Sequence, residues 1–159
     1  MFRVGLGHDT HLLQEGRDLY LGGILIPYKK GLVGHSDADV LLHAICDSLL
    51  GAMGLGDIGS HFPDHDDAFK DISSSLLLTE VMNFVKEGHY EVVNIDATLL
   101  CEQPKLAPYR KAMETRIAAL TQARQVNIKA TTTEGMNDEG RGHCISAQAI
   151  CLIQKLTEN

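Results

Sequence analysis

The 159-residue chain is 44% hydrophobic and 22% charged, the balance of one globular domain with a single packed core, so residues 1–159 are read as one domain. A formal charge of −7 and a pI near 5.5 exclude a nucleic-acid surface, which draws its affinity from clustered Lys and Arg, and leave any phosphate ligand in need of metal ions. Cys46, Cys101, Cys144 and Cys151 show no C-x-x-C spacing and read as buried free thiols. The start Met1-Phe2-Arg3-Val4-Gly5 lacks a signal-peptide core, and no apolar run reaches membrane-span length. The expectation is a soluble, cytoplasmic protein with no membrane partner.

In chain order, residues 2 to 8 predict a short strand, and Tyr20 to Pro27 predicts two more, broken at Gly22-Gly23. From Asp37 the pattern turns helical, with Leu42, Ile45, Leu49 and Ala52 on one face, Ser36 or Asp37 as cap and Gly54 or Gly56 as stop. A Gly-, Pro- and Asp-rich loop follows, then a helix over Ser73 to Glu87 ended by Gly88. Val92 to Leu100 alternates as a strand with Ile95, Ala97 and Leu99 on one face. Pro108 suits the first turn of a third long helix whose buried stripe is Tyr109, Met113, Ile117 and Leu120. Val126 to Thr133 and His143 to Leu156 predict the last strands. The final one puts Ile145, Ala147, Ala149, Cys151 and Ile153 on one side, with a largely apolar opposite side as well. This order argues for an α/β (α+β) domain, a mixed sheet with helices packed on one face. A second apolar sheet face predicts packing against copies of the chain in an oligomer.

The chain has eight histidines, and their placement carries the chemistry. In Gly7-His8-Asp9-Thr10-His11, an extended backbone projects Asp9 and His11 from one face, half of a zinc site with an open position for substrate. The third ligand is one of His35, His43, His61 and His65, and His43 is best placed, on a helix with Asp39 and Asp47 one turn to either side as orienting carboxylates. His8, at the alternate position, points to the opposite strand face. The run Lys129-Ala-Thr-Thr-Thr-Glu134, beside glycines at 135, 140 and 142, supplies hydroxyls for phosphate and a carboxylate for magnesium. Asp57-Ile-Gly59 and Phe62-Pro-Asp64 can hydrogen-bond a polyol.

Together with Gly34-His-Ser-Asp-Ala-Asp-Val-Leu-Leu-His43, Gln103-Pro-Lys105 and Gly140-Arg-Gly142, these segments resemble, in order and spacing over nearly the whole chain, the 2-C-methyl-D-erythritol 2,4-cyclodiphosphate synthase family. The resemblance implies an enzyme of the non-mevalonate isoprenoid pathway, a phosphorus–oxygen lyase. It would convert 4-diphosphocytidyl-2-C-methyl-D-erythritol 2-phosphate into the cyclodiphosphate and CMP. It also implies a homotrimer with active sites at subunit interfaces, a Zn2+ ion, and a second cation, Mg2+ or Mn2+. Carried onto this chain, the zinc ligands are Asp9, His11 and His43, the magnesium-side carboxylate is Glu134, and the catalytic residues stabilising the transition state are His35 and Thr132. Substrate contacts fall on Ser36, Asp57, Ile58, Gly59, Phe62, Asp64 and Asp66, on a cytidine pocket of Cys101, Pro104, Lys105 and Leu106, and on Thr131, Thr133 and Arg141.

The family further implies a central trimer cavity able to hold an isoprenoid diphosphate. Here the chain departs from the pattern, with Gly-Met-Asn-Asp-Glu at 135 to 139, which includes Asp138, and Gln148 where a glutamate is common, although Arg141 is present. Two rival functions are a mononuclear zinc hydrolase of phosphoesters and a non-enzymatic trimeric metal-binding module. The first has no use for the Thr-rich strand or Gln-Pro-Lys, and in the second the histidines only stabilise the fold.

Overall fold

The computed structural model of the chain describes residues 1–63 and 72–156. Strand β1 runs Phe2–Glu15, well past residue 8. Aspartate is depleted in strands, which weakens the signal around Asp9, and tertiary pairing overrides it. β1 lies antiparallel to β7 (Cys144–Lys155) from Phe2↔Gln154 to Leu12↔Cys144, then to β4 (Lys30–Leu32) at Leu13↔Leu32. β2 (Leu19–Leu21) and β3 (Ile24–Ile26) form the predicted hairpin. Its turn residues Gly22 and Gly23 have φ of 63° and 73°, the left-handed pair that a tight hairpin demands.

The main sheet has the order β4-β1-β7-β5-β6. β5 (Tyr90–Leu100) and β6 (Gln125–Thr131) are parallel and the remaining pairs antiparallel. A 3-10 turn at Ala107–Tyr109, with Pro108 in its first turn, leads into α4 (Arg110–Thr121), the crossover between β5 and β6. β6 ends at Thr131, short of the predicted Thr133, because Glu134 and Gly135 turn left-handed and carry the chain away from the ladder.

Helix α1 (Val40–Met53) lies on β1 and β7, α3 (Ser74–Glu87) packs on α1, and α4 packs on β6 and α3. All three sit on one face of a single mixed sheet. α3 ends at Gly88 as predicted and begins one residue later than predicted, with Ser73 as its N-cap. α1 ends at Gly54, φ 75°, but is capped by Asp39 rather than Ser36 or Asp37. Ala38 at φ 54° delays helical geometry by two residues, and the buried Asp39 carboxylate then accepts N–H bonds from Leu42 (3.1 Å), Gly22 (2.9 Å) and Gly23 (2.7 Å). One side chain thereby caps the helix and ties it to the hairpin. Burial pushes the Asp39 carboxyl up, against the pull of those N–H groups.

The seam between α1 and β1 is unusually close. A Cβ on Gly5 would lie 1.8 Å from the Ser48 carbonyl oxygen, and one on Gly7 1.9 Å from that of Ala44. Only glycine lets helix backbone press onto strand backbone in this way. The core continues through Leu42, Ile45 and Leu49 of α1 and Ile145, Ala147, Ala149, Cys151 and Ile153 of β7, all buried. The four cysteines are buried free thiols, as expected. No helix among the described residues is long and apolar enough to cross a membrane.

The face of the sheet away from the helices is different. Phe2, Val4, Leu6 and Leu12 of β1 are each at least 60% exposed, beside Ile150 of β7 at 48%. His8 and Gln148, cross-strand partners, lie exposed on this same face.

Candidate active site

Asp9 and His11 project from the helix-facing side of β1, and the glycine seam brings His43 of α1 against them. Asp9 Oδ2 lies 2.9 Å from His11 Nε2 and 3.0 Å from His43 Nδ1, and the two ring nitrogens are 3.2 Å apart. A tetrahedral ion with bonds of ~2.0–2.1 Å has donor–donor edges of ~3.3–3.4 Å, so the trio needs only a few tenths of an ångström to close on a metal. Among the described residues these three form the one cluster able to hold a metal ion.

The opposite ring nitrogens fix the tautomers. His11 Nδ1 is 2.8 Å from the Val33 carbonyl oxygen, which only accepts, so Nδ1 carries the hydrogen and Nε2 presents a lone pair. His43 Nε2 faces Ser74 Oγ at 2.9 Å and Ser36 Oγ at 3.2 Å, leaving Nδ1 turned inward. Deprotonated at these two nitrogens, as metal ligands must be, the rings would bring two lone pairs to the Asp9 carboxylate at one point, a donor set suited to a cation. Burial alone would raise the Asp9 carboxyl. In the metal-free site the neighbouring His11 and His43 imidazoles, when they carry the proton, outweigh it by hydrogen bond and charge and hold Asp9 well below the usual carboxylate range, which keeps it an anionic ligand.

The predicted orienting carboxylates do other work. Asp39 is committed to Gly22, Gly23 and Leu42, as described, and Asp47 Oδ1 accepts the Ile58 N–H at 2.7 Å. That bond ties α1 to the short helix α2 (Ile58–His61), an element the sequence did not announce. Asp57 caps α2 through Ser60 N–H (2.8 Å) and Oγ–H (2.7 Å), and the Ser60 hydroxyl bond lowers its pKa.

A cleft of about 270 Å³ opens beside the trio, lined by His35, Ser36, Asp47, Ile58, Gly59 and Phe62 among the residues singled out in the sequence, and by Val33, Gly34, Ile72 and Leu77, which sequence reasoning missed. Apolar positions after a loop carry no chemical signature, which is why Ile72 and Leu77 escaped notice. Of the predicted polyol contacts, Asp57 stands outside this lining, and Asp64 and Asp66 lie outside the described residues.

A second cleft, of about 290 Å³, is lined by Cys101, Pro104, Lys105 and Leu106 together with Thr131 and Thr132. Ala107, Arg110 and Ala130 complete it, and Arg110 is held by a 2.6 Å bond from its Nε to the Ile128 carbonyl. Burial pushes the Cys101 thiol up to about 12, so it acts as a wall and not a nucleophile. No residue lines both clefts: the structure places His35 in the first and Thr132 in the second.

Thr133, Glu134 and Arg141 line neither cleft. The turn that bears them is closed by its own contacts. Thr133 Oγ1 hydrogen-bonds Asn137 Oδ1, Asn137 also accepts the Gly140 N–H at 3.1 Å, Thr132 Oγ1 donates to Glu134 at 3.3 Å, and Arg141 pairs with Asp138 at 3.3 Å. Glu134 itself is exposed.

Comparison with known proteins agrees with this geometry. The model of the YgbB family matches residues 2–154. The 2-C-methyl-D-erythritol 2,4-cyclodiphosphate synthase of Clostridium novyi (strain NT) is 58% identical over 155 residues, 96% of this chain and 99% of the relative. A solved 2C-methyl-D-erythritol-2,4-cyclodiphosphate synthase in its CDP-bound form superposes with a TM-score of 0.88 at 37% identity, covering 96% of this chain and 100% of the other. The bifunctional enzyme of Campylobacter jejuni gives a TM-score of 0.94 at 37% identity. It covers 98% of this chain, which spans only 43% of that longer protein.

Proposed function

The chain belongs to the YgbB family, and on that premise we propose that it converts 4-diphosphocytidyl-2-C-methyl-D-erythritol 2-phosphate into 2-C-methyl-D-erythritol 2,4-cyclodiphosphate and CMP in non-mevalonate isoprenoid synthesis. The observation that carries the reading is the convergence of Asp9, His11 and His43 at the mouth of a cleft, in a chain 58% identical to a synthase of that name. An oxygen of the substrate's own 2-phosphate attacks the β-phosphorus. The bond from that phosphorus to the oxygen bridging it to the α-phosphorus breaks, and CMP departs with the bridging oxygen. The nucleophile is already anionic, so no activated Ser or Cys is needed, and catalysis is positioning plus charge neutralisation.

Zn2+ at the trio and Mg2+ or Mn2+ beside Glu134 supply, when bound, polarisation of the phosphate under attack and neutralisation of the leaving diphosphate. The chain's own groups do the rest. His35 and Thr132 donate hydrogen bonds to the charge that develops on the phosphoryl oxygens. Ser36, Asp57 and Gly59, with Asp64 and Asp66, hold the erythritol and its phosphate. Pro104, Lys105 and Leu106 enclose the cytidine. Thr131 and Thr133 offer hydroxyls to the diphosphate.

His35 and Thr132 line separate clefts of one chain, and the helix-free face of the sheet is apolar and exposed. Both features support a homotrimer in which the nucleotide cleft of one subunit meets the metal cleft of the next. Arg141 is the residue that would meet an isoprenoid diphosphate in a central cavity, on giving up its 3.3 Å pairing with Asp138.

Phosphorus NMR of the purified protein with the diphosphocytidyl substrate, zinc and magnesium tests the reading. CMP together with two coupled cyclic-diphosphate signals is the expected result. A linear monophosphate product overturns cyclisation in favour of hydrolysis, and unchanged substrate overturns the enzyme.

A further inference from the structure

Ser74 stands in the first turn of α3 and is fully buried. Its N–H donates to Asp37 Oδ2 at 3.1 Å, which suffices to satisfy the backbone there, and the N-cap of the helix is already Ser73. The Ser74 hydroxyl is therefore surplus to capping. It donates to Asp37 Oδ1 and faces His43 Nε2 at 2.9 Å. A carboxylate only accepts, so the hydroxyl hydrogen is spent on Asp37 and only a lone pair is left for His43. A 2.9 Å approach of that lone pair is attractive only if Nε2 carries a hydrogen, which leaves the lone pair of the ring on Nδ1, 3.0 Å from Asp9 Oδ2.

We propose that Asp37 and Ser74 are positioning residues, a hydrogen-bonded relay that locks His43 in its Nε2–H tautomer and ring orientation and so sets the affinity of the Asp9–His11–His43 site for its metal ion. The inference rests on the metal reading of that trio and extends it to Ser74 of α3 and Asp37 of the loop before α1. The relay has a competitor in Ser36, 3.2 Å from the same nitrogen. Ser36 Oγ accepts the Ala38 N–H at 3.1 Å, so its own hydrogen is able to point at Nε2 and favour the opposite tautomer. In that tautomer Nδ1–H donates to Asp9 and masks two of the three ligands at once. Ser74 decides between the two states. Asp37 is also tied to the segment leading into α3, its N–H donating to the Ile72 carbonyl at 3.3 Å, so the relay and the entry to that helix are one unit.

The test is zinc affinity by competition with a chromophoric chelator, in the native chain and in Ser74→Ala, with imidazole nitrogen NMR of both in metal-free form. Ser74→Ala should keep its thermal midpoint within a few degrees, bind zinc ~10–100-fold more weakly, the loss typical of groups that orient a metal-bound histidine, and move His43 from the Nε2–H to the Nδ1–H form. Asp37→Asn, which keeps an acceptor but removes its charge, should weaken zinc binding in the same direction by a smaller factor, and serves if Ser74→Ala proves unstable. A native chain that takes up no zinc overturns the metal reading and the relay with it. A native chain that binds zinc, with variants that bind it equally well and an unchanged tautomer, overturns the relay alone.

Discussion

Asp9, His11 and His43 are mounted on a strand and a helix of fourteen residues each, whereas Thr132 to Arg141 belong to a turn that leaves the sheet after β6. In the first region every side chain is aimed by a partner behind it, Val33 behind His11 and Ser74 behind His43, and the three ligand atoms already converge. In the second, the functional groups satisfy one another, Thr132 with Glu134, Thr133 with Asn137 and Arg141 with Asp138. On the proposed function, metal affinity belongs to the first region before any substrate arrives. On the same reading, the second would exchange internal hydrogen bonds for substrate and cation, and its contribution would be kinetic.

Substitutions separate the two. His43→Ala removes a ligand and should lower kcat/KM by ~10³-fold, several kcal/mol of lost phosphate polarisation, and abolish stoichiometric zinc in metal analysis while the circular dichroism spectrum persists. Gly7→Ala attacks the same region through the backbone. Its Cβ has no room beside the Ala44 carbonyl, so urea unfolding should report a loss of ~3 kcal/mol, accompanied by lost zinc. Glu134→Gln, by contrast, should leave zinc content and unfolding midpoint alone and lower kcat by ~10²-fold, the scale for a lost transition-state charge contact. Lys105→Ala should raise KM for the cytidyl substrate ~10-fold, about 1.4 kcal/mol of binding, with zinc again unaffected; a change in zinc content for either would erase the distinction. Remote from both regions, Gln122 ends α4 at φ 54°, and Gln122→Gly should stabilise the fold by ~0.5–1 kcal/mol in the same unfolding assay with no kinetic change.

The elements built on hydrophobic period were legible in the sequence. α3 with its Ser73 and Gly88 caps and the Gly22-Gly23 hairpin both follow from local chemistry that no distant contact overrides. β1 was legible only to residue 8, since its continuation through Asp9 and His11 depends on β7 and β4, far along the chain. The meeting of Asp9 and His11 followed from strand period, and His43 from helix position. Ser74 was invisible, because the run Ser73-Ser74-Ser75 at a helix start reads as capping chemistry and the contact of Ser74 with His43 spans 31 positions. Asp39 misled for the opposite reason: helical spacing puts it one turn from His43, but the N–H groups of Gly22 and Gly23 hold it elsewhere. Spacing reports proximity along a helix, and tertiary hydrogen bonds decide which way a side chain turns.

The contact of bare backbone at Gly5 and Gly7 has a thermodynamic consequence. A binding site carried on loops can fray while the rest of a protein stays intact, and it then melts at its own lower temperature. Here the two ligands on the strand and the one on the helix stand at the same joint that closes the core, with no hinge between them. The backbone distance between these positions cannot lengthen until α1 lifts from β1, and that is the opening of the domain itself. Coordination and native structure are thus lost as one cooperative event, and an ion bound at this joint lends its full binding free energy to the whole fold.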